Sequence, residues 1–134
     1  MNNKDSFVEK LRSSGLKATG QRIEICKLLF NRDKTFHFTI YDLYKILSKK
    51  ISLATIYNTV HAFKKKGYLK EISINSDKNY YDTNISDHHH FFNESTNELI
   101  DLNNHEVENI KIKKNIPGKK IKSVEVLVKI ENSN

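Results

Sequence analysis

Four short amphipathic segments, each with its own boundary residue, occupy the first 67 residues of the chain. Apolar side chains recur at helical spacing in each segment, as Ile56, Val60 and Phe63 do in the last one. Ser and Thr side chains accept hydrogen bonds from the first free amides of a helix, and Gly ends a helix in the left-handed conformation. We therefore predict four helices. Their predicted N-caps and ends are Thr19, Thr39, Ser52, Gly15 and Gly67.

A small β-hairpin is predicted directly after the helices. Two runs of β-forming residues, 69–74 and 79–83, flank the turn-forming sequence NSDK. Short helices followed by a hairpin are typical of a winged helix-turn-helix, so residues 1–83 are predicted to form a winged-helix DNA-binding domain.

The pattern changes after residue 83. The sequences HHHFFN and ELIDL flank ESTN and predict a second hairpin, and residues 104–115 are compatible with a helix. Residues 123–130 predict a strand with Val124, Val126, Val128 and Ile130 on one face. The predicted fold class is therefore α+β, with residues 84–134 forming a small α/β dimerisation and sensing domain.

The net charge of +7 lies entirely in the first part of the chain. Residues 1–83 contain 16 Lys and Arg against 8 Asp and Glu, whereas residues 84–134 contain 7 against 8. A basic excess confined to one domain is typical of a module that binds a polyanion such as DNA.

The single cysteine, Cys26, excludes an internal disulfide and a zinc site built from paired cysteines. Its sequence context, IEICKLLF, predicts a buried and inert thiol. The N-terminal sequence has no apolar signal core and no stretch is long enough to span a membrane, so we expect a cytoplasmic protein.

The predicted recognition helix, residues 52–66, carries hydroxyl, phenol, amide and imidazole groups on its non-core face. Such groups contact bases or phosphates when the helix lies in the major groove. A lysine run follows, which is equally typical of a solvated helix end stabilised by the helix dipole. The DNA-binding candidates are Lys17, Arg22, Ser52, Thr55, Tyr57, Asn58, His61 and Lys64.

Three adjacent histidines begin the second hairpin. Side chains alternate along a strand, so His88 and His90 share one face while His89 points to the other. If ESTN forms a four-residue turn, His90 lies opposite Asp101. Two imidazoles and one carboxylate on a common face suit Fe(II), Mn(II) or Zn(II), but a shift of one residue would remove Asp101 from that face.

Four stretches, in this order, resemble the Fur family of metal-dependent bacterial regulators: GLKATGQRIEICKLLF, FHFTIYDLYKIL, ISLATIYNTVHAFKKKGYLKEI and HHHFF. The resemblance extends over roughly residues 7–130, and SLATIYNT is similar to the family's recognition helix. Within the family, the region around HHHFF is most similar to the Irr branch, the iron response regulators of alphaproteobacteria. The resemblance implies an iron-responsive homodimer that binds a palindromic operator.

In this family the regulatory metal site bridges the DNA-binding and dimerisation domains. The resemblance implies metal ligands at His37, Asp82, His88, His90 and Asp101. A second family site would use His89 and Glu108, although no histidine follows His105 to complete it. The Irr branch associates the HHH motif with haem, which makes His88, His89 and His90 haem candidates.

The resemblance also implies that a Cys-based structural zinc is absent, because Asn93 and Thr96 occupy the positions of the family's first cysteine pair. Other functions remain open at this stage. One is a sensor of Mn or Zn, and another is a metal or haem carrier that does not bind DNA. An enzyme with a catalytic metal at His88, His90 and Asp101 is the least favoured, because no general acid or base and no nucleophile accompanies these residues.

Overall fold

The computed structural model describes residues 3–134, which divide into two compact units between Ile85 and Ser86. The first unit contains α1 (Asn3–Ser13), α2 (Gly20–Phe30), β1 (His37–Phe38), α3 (Ile40–Ile46), α4 (Leu53–Lys66), β2 (Lys70–Asn75) and β3 (Lys78–Asp82). The second contains, in chain order, β4 (His89–Asn93), β5 (Glu98–Leu102), a single 3-10 turn at Asn104–Glu106 and β6 (Leu127–Ile130). The α+β fold class predicted from the sequence is confirmed.

The helix boundaries follow the predicted capping residues. The side chains of Thr19 and Ser52 accept hydrogen bonds from backbone amides of the first turns of α2 and α4. Thr39 forms a reciprocal capping box with Asp42, in which each side chain bonds the other residue's backbone N–H. Gly67 has φ of +94° at the end of α4, a conformation that favours glycine. The caps at Thr39 and Ser52 define where the two helices that follow β1 begin.

The core of the first unit lies between the four helices and the wing. Phe63 of α4 contacts Phe30 edge-to-face with ring centroids 5.6 Å apart, and Phe38 stacks on Tyr81 of β3. Burying each such side chain contributes about 1.5–3 kcal/mol to folding. The fully buried apolar residues are Leu11, Ile25, Cys26, Leu29, Phe38, Leu43, Ile56, Val60 and Phe63.

The wing is a three-stranded antiparallel sheet with strand order β1-β3-β2. The hairpin of β2 and β3 agrees with its prediction, whereas β1 was not predicted because two residues give no periodic signal. β1 pairs with β3 so that His37 lies opposite Asp82. Hydrogen bonds between Phe36 and Thr83 extend this pairing by one residue. The edge of the wing therefore fixes the position of His37.

The second unit contains a sheet with strand order β5-β4-β6, in which β6 runs parallel to β4. The register predicted for the hairpin is confirmed, because Asn93 pairs with Glu98 and His90 pairs with Asp101. Two other predictions are wrong in extent or type. The predicted strand 123–130 is reduced to Leu127–Ile130, and the predicted helix 104–115 is only the 3-10 turn followed by irregular backbone.

Several large apolar side chains of the second unit are exposed, and most of them lie in the irregular segment before β6. They are Ile100, Ile110, Ile112, Ile116, Ile121 and Val124. Because these side chains are left largely exposed, little burial is available there to stabilise a helix, which explains why local amphipathic spacing did not produce one. Across residues 3–134, no helix is both long enough and apolar enough to cross a membrane.

Cys26 is fully buried, and burial raises the pKa of its thiol to about 12. At pH 8 only about one molecule in ten thousand would carry the reactive thiolate. We therefore expect no reaction of the folded protein with iodoacetamide at pH 8 and one alkylation per chain in denaturant, measured by intact mass. Alkylation of the native protein at the rate of the denatured protein would contradict this core position.

Candidate functional site

Two buried imidazoles converge on one carboxylate in the second unit. The Nε2 atoms of His88 and His90 lie 3.1 and 3.5 Å from Oδ1 of Asp101, and the two imidazole ring centroids are 4.4 Å apart. Both histidines are only 4% exposed. The register of β4 and β5 causes this convergence, because it places Asp101 opposite His90 while alternation brings His88 to the same face.

The hydrogen bonding of His88 defines which of its nitrogens is available to a ligand. Nδ1 of His88 lies 2.7 Å from the carbonyl oxygen of Ser86, which only accepts, so the hydrogen is on Nδ1. In the neutral ring, the lone pair of Nε2 then faces the carboxylate of Asp101. Two lone pairs at 3.1 Å repel unless a proton or a metal ion lies between them. A backbone carbonyl that orients a histidine in this way is typical of metal-ligating imidazoles.

The first unit holds a second potential ligand pair. Nε2 of His37 lies 2.9 Å from Oδ2 of Asp82, and the Asp82 side chain is fully buried. The other carboxylate oxygen of Asp82 accepts a hydrogen bond from the backbone N–H of Asn84. A buried carboxylate requires a cation or several hydrogen bonds to offset its loss of hydration. The pairing of β1 with β3 provides this proximity.

The donor set suits a divalent transition metal. Imidazole nitrogen and carboxylate oxygen together bind Fe(II), Mn(II) and Zn(II), whereas a soft thiolate site would need cysteine. Within the second unit alone, His88, His90 and Asp101 each present a ligand atom within 4.8 Å of the others. These three residues form what we call the C-terminal triad, and His37 with Asp82 form the N-terminal pair.

His89 points away from the C-terminal triad, as alternation predicted. Its Nδ1 accepts a hydrogen bond from the backbone N–H of Val126 at 3.0 Å, so this nitrogen helps to hold the chain that leads into β6. Glu108 is exposed in the irregular segment. Among the described residues, His89 and Glu108 belong to no group of three or more potential metal ligands. Their assignment to a second metal site stays a prediction.

The predicted DNA-binding residues of α4 divide into two groups. Ser52 and Thr55 bond to each other at the helix start, so their hydroxyls serve the cap. Tyr57 and Asn58 are exposed, and the Tyr57 ring stacks in parallel on His61 with centroids 5.6 Å apart. The helix therefore presents amide and aromatic groups to solvent along one face.

The basic candidates also differ in their surroundings. Lys17 is exposed on the turn between α1 and α2, and the guanidinium of Arg22 donates to its carbonyl oxygen at 3.1 Å. Arg22 thus holds the turn that carries Lys17. The ammonium group of Lys64 lies 3.5 Å from the carboxylate of Glu71 on β2.

Sequence reasoning missed three contacts that shape these sites. It did not predict the carbonyl of Ser86 as the partner of His88, the β1 pairing that orients His37, or the ion pair of Lys64 with Glu71. The first two depend on backbone geometry that leaves no residue-type signal. The third depends on the packing of α4 beside the wing, although opposite charges in the two segments were visible.

If the C-terminal triad binds metal, Asp101→Asn should weaken Mn(II) affinity severely. The change removes the negative charge and leaves the shape of the side chain. We expect a loss larger than the roughly 10- to 100-fold caused by removing an outer-shell partner. Isothermal titration would measure it, with Glu98→Gln as the matched control on the exposed start of the same strand. Equal Mn(II) affinity in wild type and Asp101→Asn would contradict the triad as a metal site.

Comparison with known proteins connects this geometry to a family. Residues 13–130 match the ferric uptake regulator family. The peroxide operon regulator of Bacillus subtilis (strain 168) is 33% identical over 98 residues, which cover 71% of this chain and 66% of that protein. The ferric uptake regulation protein of Neisseria gonorrhoeae is 33% identical over 109 residues, which cover 78% of this chain and 75% of that protein. The chain thus spans slightly less than two thirds of the Bacillus protein.

Solved structures share the fold at low sequence identity. The manganese-containing ferric uptake regulator of Pseudomonas aeruginosa has a TM-score of 0.67 and 20% identity, covering 96% of this chain and 98% of that one. The ferric uptake regulator of Vibrio cholerae has a TM-score of 0.68 and 19% identity, covering 93% and 98%. The chain belongs to the ferric uptake regulator family, whose members are metal-responsive transcription regulators and not enzymes.

Proposed function

We propose that this chain is a transcription regulator whose DNA binding is controlled by one divalent metal ion. The observation that carries the proposal is the convergence of the buried Nε2 atoms of His88 and His90 on the carboxylate of Asp101, with Nδ1 of His88 held by the Ser86 carbonyl. A divalent cation placed among these three side chains would be ligated by two imidazole nitrogens and one carboxylate oxygen. Membership of a family of metal-responsive regulators supports the same reading.

In this proposal the ion is ligated by both the C-terminal triad and the N-terminal pair. A bound divalent ion supplies the positive charge that offsets the carboxylates of Asp82 and Asp101. His88 and His90 offer Nε2, and the Ser86 carbonyl keeps the ring of His88 in the required orientation. His37 is held by the β1–β3 pairing, so its position is tied to the wing.

The consequence for DNA binding follows from linkage. A ligand shifts a conformational equilibrium only by the difference in its affinity for the two states. Side chains from both units can satisfy the ion together only in certain relative orientations of those units. Ligation by both units therefore restricts the orientation of α4, and thereby its presentation to the major groove.

DNA recognition is assigned to α4 and its neighbouring turn. Tyr57 and Asn58 provide exposed groups for base contacts, and His61 adds a half-buried imidazole. Asn, like Gln, can bind adenine through two hydrogen bonds in the major groove. Lys17 provides a phosphate contact, while Arg22 holds its turn. Ser52 and Thr55 start the helix, and each retains an oxygen that can approach the backbone.

We further propose that the active species is a homodimer on a palindromic or nearly palindromic operator. The exposed isoleucines before β6 supply an apolar surface of the kind that pairs with a second copy. A two-fold dimer presents two copies of α4, and the operator repeats with the same symmetry.

The ligand atoms suit more than one effector. Iron fits the donors, and so do manganese and zinc, which accords with the manganese-containing Pseudomonas aeruginosa protein and the zinc-bound manganese uptake regulator as structural neighbours. Haem, suggested by resemblance to the Irr branch, has less support. His88, His89 and His90 are at most 8% exposed, and their nitrogens already face Ser86, Val126 and Asp101.

Metal control should be visible as a change in operator affinity. A duplex selected from a random pool would be titrated with apo, Fe(II), Mn(II) and Zn(II) protein by fluorescence anisotropy. We expect one ion to change the affinity at least about tenfold, which is the usual order of allosteric coupling. His37→Ala and His90→Ala should each abolish this change, because each removes one imidazole ligand. The assay would be run below the melting temperature of each variant, since both side chains contact buried groups.

Tyr80→Phe serves as a matched control on the wing, because it keeps a buried aromatic ring outside the proposed ligand set. An unaltered metal response in His37→Ala would contradict ligation by both units. The same affinity for DNA in every metal state would contradict metal control altogether.

A second candidate is a repressor that responds to peroxide. Similarity to the peroxide operon regulator of Bacillus subtilis and to the peroxide-responsive repressor of Staphylococcus epidermidis favours it. Peroxide oxidises Fe(II) readily and Mn(II) poorly, so the same chain should respond differently with the two ions.

We expect micromolar peroxide to abolish DNA binding by the Fe(II) protein and to leave the Mn(II) protein active in the same anisotropy assay. Cys26→Ser should respond like wild type, because the thiol is buried. Equal resistance of the Fe(II) and Mn(II) forms would exclude the peroxide function and leave metal sensing in place.

A further inference from the structure

The three consecutive lysines that end α4 lie in different surroundings. Lys64 forms the ion pair with Glu71 on the wing. Lys65 and Lys66 are exposed, and within residues 3–134 neither forms an ion pair. Equal charges in one helical turn are therefore not equally available to an external anion.

Lys65 and Lys66 border a groove between the end of α1 and the second half of α4. Asn58, His61 and Ser14 also line it, and the lining includes no acidic residue. The hydroxyl of Ser14 already donates to the carbonyl of Lys10 at 2.7 Å. The hydroxyl of Ser13, which also lines the groove, lies 3.1 Å from the same carbonyl and 2.7 Å from the hydroxyl of Tyr68. The side-chain donors left for a ligand are thus the two ammonium groups, the amide of Asn58 and the imidazole of His61.

Helical spacing connects this groove with the exposed face of α4. Asn58, His61 and Lys65 are separated by three and four residues, so they follow one another along the same face. Lys66 lies on the side of α1, and Lys64 lies on the opposite side, toward β2. The groove therefore lies along the face of α4 that carries Asn58.

We propose that this groove binds a phosphate of the DNA backbone, with Lys65 and Lys66 as the contacts and Lys64 excluded by its ion pair. The inference rests on the proposed function, since it assigns α4 to DNA. The anion is a backbone phosphate because the groove is open, basic and continuous with the base-reading face. Lysines that contact phosphates add affinity without reading sequence.

The salt dependence of DNA binding tests this assignment through three matched variants. Lys64→Gln, Lys65→Gln and Lys66→Gln each remove one charge from the same turn of the same helix. The affinity of each for a duplex selected by the wild-type protein would be measured between low and high salt. A lost phosphate contact lowers the slope of log K against log salt concentration by about 0.9.

We expect that decrease for Lys65→Gln and for Lys66→Gln, with affinity about fivefold to tenfold lower at 0.1 M salt. Lys64→Gln should keep the wild-type slope. Lys65→Arg and Lys66→Arg should retain it too, because they keep the charge. If a lysine only stabilises the helix end through the dipole, replacing it by Gln would lower the melting temperature and leave the slope unchanged.

Equal slope losses in all three glutamine variants would indicate diffuse attraction and overturn the groove assignment. Unchanged slopes in Lys65→Gln and Lys66→Gln would overturn it too. Failure of the wild-type protein to select any duplex, with or without metal, would instead refute the proposed function itself. The two failures are therefore distinguishable in the same experiment.

Discussion

The antiparallel register of β4 and β5 is the constraint on which the metal-binding proposal depends. It places Asp101 opposite His90, and strand alternation adds His88 on the same face. A shift of one residue would turn Asp101 to the other face and leave the imidazoles without a carboxylate. The four-residue turn between the strands sets this register, with the side chain of Asn93 accepting from the amides of Ser95 and Thr96.

Buried polar groups at these positions oppose folding, which indicates that they serve another purpose. Asp82 is fully buried, and the imidazoles of His88 and His90 are nearly so. Apolar residues of similar volume would be at least as stabilising there, since a buried charged pair rarely repays its loss of hydration. Such groups are common where a protein binds an ion. The same side chains are the ones to which the proposed function assigns the metal ion.

The sequence predicted most of the fold because its signals were local. Thr19, Thr39 and Ser52 marked helix starts that the structure retains, and turn residues fixed both hairpins. The failures have a common cause. The helix predicted over 104–115 and the long strand predicted over 123–130 depended on apolar spacing. Residues such as Ile112 and Ile116, however, remain more than half exposed. The contact of the Ser86 carbonyl with His88 and the pairing of β1 with β3 depend on backbone geometry, which cannot be predicted from residue types.

Pulsed EPR of the Mn(II) protein would test whether one ion is ligated by side chains of both units, as we propose. With ¹⁵N-labelled histidine, coupling to imidazole nitrogens reports how many histidines ligate the metal, and the His37→Ala variant identifies whether His37 is one of them. We expect nitrogen couplings from His37, His88 and His90 in wild type, and the loss of one coupling in His37→Ala. A wild-type spectrum that His37→Ala leaves unchanged would contradict it, because the ion would then belong to the second unit alone.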